Sequence, residues 1–136
     1  MGTWGNKSFE NDWAADLRGN VIDGDLGLVE RALDKVMNSP QAKKLDSADC
    51  EEAIAACEFV AIANSKSYVG EEESTITFVK ESLVPFLNDR LLDIKEKAVA
   101  VLDRIVANSE LKDLWQESDE YQRWLDNLIA LRDRLN

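Results

Sequence analysis

Glu10, Asp12 and Asp16 crowd into the opening stretch GTWGNKSFENDWAADL, residues 2–17. If this stretch is helical, Asp12 and Asp16 lie one turn apart, with Glu10 just ahead of them. Carboxylates so placed can hold Mg²⁺. Two of them can also do acid–base work when burial raises one pKa. The same residues equally suit the first turn of a helix, where acidic groups meet the positive end of the dipole. The helix-start reading is preferred, because acidic residues beside caps are routine.

Other chemistry is scarce. The chain has no histidine, which removes Ser-His and Cys-His pairs and the commonest general base. There is no Walker loop and no GxGxxG. Asp23-Gly24-Asp25 resembles the start of a calcium loop, but Gly27 stands where a third ligand belongs and Leu28 where the glycine belongs. Two cysteines, Cys50 and Cys57, cannot build a four-cysteine zinc site. They sit seven residues apart on one expected helix, about 10 Å along its axis, too far for a disulfide. Both are expected to be reduced and buried. No metal and no cofactor is expected.

Charge is the strongest signal. There are 16 Lys+Arg against 27 Asp+Glu, a net of −11. Nucleic acid and anionic membrane would be repelled and a basic protein attracted. The excess peaks in residues 40–74, which hold 3 basic and 8 acidic groups, while residues 75–109 hold 5 of each. Glu71, Glu72 and Glu73 in an expected polar loop, with Asp46 and Asp49, are the candidate partner-binding groups. No apolar run is long enough to span a bilayer, and no signal peptide is visible. A cytoplasmic location is expected.

These side chains are carried by helices. Hydrophobic residues make up 45% of the 136, enough for one self-sufficient domain over residues 1–136. Asn11 or Asp12 is expected to cap a first helix with Trp13, Leu17 and Val21 inward, and Phe9 packed back on Trp13 as a staple. Gly24 should end it. Asp25 should cap a second helix with Leu26, Val29, Leu33, Val36 and Met37 along one side, stopped at Asn38-Ser39-Pro40. Residues 41–45 read as a linker. Asp46 or Ser47 should cap a third helix whose only charge between Ala53 and Ala63 is Glu58, so it is expected to be central and buried. After the polar loop, residues 75–83 read as a short helix broken near Pro85. A strong amphipathic helix over residues 88–106, a short one capped by Ser109, and a last one begun by Ser118 or Asp119 complete the chain. The expectation is an all-α fold, a compact bundle of about six helices around an Ala-rich central helix.

The opening resembles a bacterial family of small proteins classed as a domain of unknown function. The family motif is Gly-Thr-Trp-Gly, then Phe-Glu-Asn-Asp, then an Ala-Ala-Asp helix. Here these are Gly2-Thr3-Trp4-Gly5, Phe9-Glu10-Asn11-Asp12 and Ala14-Ala15-Asp16. Ala100-Val101-Leu102-Asp103-Arg104, Asn108-Ser109-Glu110-Leu111 and Leu114-Trp115 are similar to its C-terminal pattern. The resemblance implies no reaction. It marks Trp4, Phe9, Glu10, Asn11, Asp12 and Asp16 as the recognisable segment, and Trp4 and Phe9 are expected to be largely buried. Domains of this kind are sometimes immunity proteins that neutralise a toxin by binding it.

Charge, size and the missing catalytic residues together lead to a non-enzymatic protein-binding module, with an immunity protein against a basic toxin as its specific form. The alternatives are a carboxylate-based, metal-dependent hydrolase using Glu10, Asp12 and Asp16, and a structural helper domain. Oligomeric state is not legible.

Overall fold

The computed structural model describes residues 9–64 and 72–136. The helices are α1 (Asp12–Ile22), α2 (Leu28–Met37), α3 (Ser47–Asn64), α4 (Glu73–Phe78), α5 (Val84–Leu87), α6 (Leu91–Ala107), α7 (Glu110–Gln116) and α8 (Tyr121–Arg134). A π turn, Val79–Leu83, joins α4 to α5, and a 3₁₀ turn, Asn88–Arg90, leads into α6. Among the described residues there is no named strand, only an isolated bridge between Leu45 and Ser109. The fold is all-α, as the periodicity predicts.

The Ala-rich α3 is the centre. Nearly every residue from Cys50 to Ile62 is buried, charged Glu51 and Glu58 included. It packs against α1, α2, α6, α7 and α8. Its alanines carry only a methyl group, so neighbouring helices can approach closely from several sides. Val29, Ala32, Leu33 and Val36 face it from α2, and Ile94, Ala98, Val101, Leu102 and Ile105 are the buried row of α6. Both cysteines are free and buried on α3, as their spacing predicts. Cys57 Sγ donates to the Ala98 carbonyl of α6 at 3.6 Å.

Caps set the helix starts. Asn11 Oδ1 accepts from Ala14 N at 2.7 Å, Asp46 Oδ1 from Ala48 N at 2.7 Å, and Ser109 Oγ from Lys112 N at 3.0 Å. Gly24, at φ +123, makes the turn out of α1, a backbone region that only glycine enters freely.

Several expectations are corrected. Asp25 does not cap α2: the helix starts at Leu28, and the Asp25 carboxylate pairs with Arg31 at 2.6 Å. Met37 is exposed at the end of α2. Residues 41–45 are not a plain linker, because Leu45 is buried and its carbonyl accepts from Glu110 N at 2.9 Å. Pro85 does not break its helix. The π turn moves the bonding register just before it, Val84 N donating to Val79 O, and the chain stays helical to Leu87. The break falls at Asn88, at φ +49. The last helix has Glu120 at its cap position, while Ser118 Oγ accepts from Glu120 N one step earlier.

Candidate functional site

Around α1, the elements position the opening segment tightly. Asn11 is buried beneath the first turn and caps it. Phe9 is half-buried and packs on Phe59 of α3, with ring centroids 5.4 Å apart. The Arg18 guanidinium lies over the Phe9 ring at 5.6 Å. Arg18 also donates to Thr75 Oγ1 at 2.6 Å and reaches Glu72 Oε2 at 3.2 Å, tying α1 to the start of α4. Trp4 lies outside the described residues, so its expected burial falls there too.

Phe9 therefore staples to Phe59 and not to Trp13. Trp13 is 51% exposed, against its expected place in the core row. The row is Ala14, Leu17 and Val21, spaced by three and four residues. That alternation keeps side chains in one narrow sector, whereas steps of four drift around the helix. Trp13 is left outside, next to Asp12 and Asp16, which are both exposed. Glu10 is half-buried. Among the described residues, no group of three or more Cys, Asp or Glu side chains gathers closely enough to hold a metal ion.

The candidate partner-binding groups separate into two places. Asp46 caps α3, and Asp49 faces Lys35 at 3.9 Å, beside Glu52 at 3.8 Å from the same Lys35. Glu72 sits beside Arg18 at the cap position of α4, and Glu73 lies in that helix's first turn, not in a loop. Both Glu72 and Glu73 are exposed. Glu71 lies outside the described residues. Asp46 and Phe59, the level at which the Arg18 cluster attaches, are about 20 Å apart along α3. The four described groups, Asp46, Asp49, Glu72 and Glu73, therefore do not form one patch.

Part of the acidity counted on α3 is internal. Glu58 is buried and pairs with Arg134 at 2.6 Å, and Glu51 is also buried. Neither contributes an open surface charge, a distinction that counting residues cannot draw. Elsewhere, Glu30 meets Arg90 and Lys97, Asp34 meets Lys97, and Asp103 holds Arg132. These contacts raise the Lys97 and Arg132 pKa values, chiefly through hydrogen bonds to Asp34 and to Asp103. Burial pushes the Cys50 thiol up to about 12, and the Cys57 thiol is also strongly raised by burial. Thiols so raised are protonated and poorly nucleophilic at neutral pH.

Two hollows among the described residues lie along α6 and α8. One of about 310 Å³ lies between α6 and the end of α8, beside Leu92, Val99 and Leu135. A second of about 140 Å³ lies farther along the same pair, beside Val106 and Ile129. Neither includes any of the candidate residues. Among the described residues, no helix is long and apolar enough to cross a membrane.

No curated protein and no solved structure matches the chain. A family model does, over residues 2–127, so it takes in both the opening motif and the Asn108-Ser109 cap. The chain belongs to that family, the domain of unknown function DUF4259.

Proposed function

We propose that this protein is a non-enzymatic binding module for a basic protein, an immunity protein against a cationic toxin being its specific form. One observation carries the reading: a net charge of −11 on a small helical fold whose candidate carboxylates lie mainly at the surface. Such a field attracts a cationic protein and opposes acidic ones and nucleic acid. Asp46, Asp49, Glu71, Glu72 and Glu73 act in this reading as steering charges. They raise the encounter rate without needing to form one contact patch. The metal-dependent alternative needs Glu10, Asp12 and Asp16 to converge, and Asp12 and Asp16 point into solvent.

The test is affinity capture from native cells at low and high salt, followed by direct binding measurement with each captured protein. The expected partner is a basic protein retained at low salt. A captured partner that is acidic, or is a nucleic acid, contradicts the reading.

A further inference from the structure

The outer side of α1 carries two stripes that contacts among the described residues do not explain. Asp12, Asp16, Gly19 and Asp23 follow one another at steps of four, three and four, so they share a line along the helix. All four are exposed. Trp13 and Asn20, seven apart and also exposed, run alongside, between that line and the buried row.

Each member of the first stripe after Asp12 weakens the helix that carries it. Asp12 and Asp16 are like charges one turn apart. Asp23 stands at the C-terminal cap, the negative end of the dipole, with no basic residue in the last turn. Gly19 is in the helix interior, where glycine is poorer than alanine. Among the described residues a β-carbon there would meet nothing within 4 Å, so packing against them does not require glycine. Among the described residues, no cation pairs with Asp12, Asp16 or Asp23, although Arg18 on the same helix is held by Glu72. Beside this sits a half-exposed tryptophan, a residue type that dominates binding hot spots. Local rules broken together without an internal gain point to a functional surface.

We propose that this face of α1 is the contact site for the basic protein, a proposal that rests on the function proposed above. Trp13 is the anchor, offering its ring to an arginine or lysine side chain. Asp12, Asp16 and Asp23 supply the matching negative charge. Gly19 lets the partner's backbone come close to the helix, where a side chain would hold it off. The steering groups near Asp46 and Glu72 act on the encounter, and α1 makes the lasting contact.

The test uses the full chain and a nona-arginine peptide as probe, titrated by NMR at about 50 mM salt, where charge interactions are weakly screened. The Trp13 indole N–H and the amides of residues 12–23 should show the largest shifts. Trp13→Ala should weaken binding about threefold, as loss of one exposed cation–π contact would. Gly19→Ala should weaken it as well, although it leaves every charge in place. If the peptide binds but its strongest shifts lie away from α1, and both variants bind like the parent, this site is wrong while the preference for a basic partner stands. If the peptide produces no shift anywhere, the underlying reading of a basic partner fails with it.

Discussion

Arg134 Nη1 lies 2.6 Å from Glu58 Oε2, joining the last turn of α8 to the most buried helix of the fold. The Glu58 side chain is only 9% exposed and that of Arg134 30%. A second tie runs alongside, Asn64 Nδ2 donating to the Arg134 carbonyl at 3.0 Å. Removing one partner of a buried pair leaves the other charge without compensation. Arg134→Met should therefore destabilise the protein by about 3 kcal/mol in urea unfolding. Adding Glu58→Leu should recover part of that loss, because the stranded carboxylate goes with it. A single variant as stable as the parent would show that α8 does not depend on the pair.

Gly19→Ala separates stability from binding. With open space around its β-carbon and no positive φ, alanine should stabilise α1 by about 0.5–1 kcal/mol, measured as a higher denaturant midpoint. The contact site proposed on α1 requires the same change to weaken partner binding. A destabilised Gly19→Ala would mean that the glycine serves the fold.

The opening segment should prove structural at two positions. Asn11→Ala removes the cap on Ala14 N and should cost about 1 kcal/mol. Phe9→Ala loses the Phe59 contact and the ring beneath Arg18, and should cost about 2 kcal/mol, less than a fully buried phenylalanine because Phe9 is half-exposed. Thermal melting checks both.

The buried thiols set an alkaline limit. Their folded pKa values are raised by burial, Cys50 to about 12, while an unfolded cysteine ionises near 8.5. Above that pH the unfolded chain loses protons that the folded chain keeps. Stability should therefore be intact below about pH 8.5 and fall above it, by about 1.4 kcal/mol per pH unit for each cysteine. Cys57→Ala should reduce that slope by the share of one thiol. Both thiols should also resist alkylation at neutral pH until the protein is unfolded.

The bundle was legible because its main rows are long. Ile94, Ala98, Val101, Leu102 and Ile105 repeat over several turns, and the run of α3 from Ala53 to Ala63, with Glu58 its one charge, is apolar on nearly every side and so must be buried. Short signals misled. Trp13, Leu17 and Val21 read as a row, yet Ala14 takes the inward place, since even spacing of four drifts around the axis while a small residue fits close to α3. Pro85 read as a breaker, but the π turn ahead of it absorbs the lost hydrogen bond. The acidic residues of the candidate site were plain in the sequence; their partners were not. Arg18 reaches Glu72 across 54 positions, and Arg134 reaches Glu58 from the far end of the chain. Such pairings arise from packing, which local patterns do not encode.

The central claim is that charge steers this protein to a basic partner. The most direct measurement is the association rate with the captured protein at two salt concentrations, for the parent and for a variant with Glu71, Glu72 and Glu73 all replaced by Gln. Salt screens exposed charges over about 8 Å at physiological strength. Association should slow as salt rises and slow again in the triple variant, with dissociation changing less and the fold intact. Glu72 pairs with Arg18, yet replacing it leaves that arginine uncompensated and changes the net charge as much as either neighbouring replacement, so all three should contribute to the slowing. An association rate indifferent to both salt and the three substitutions would contradict the account.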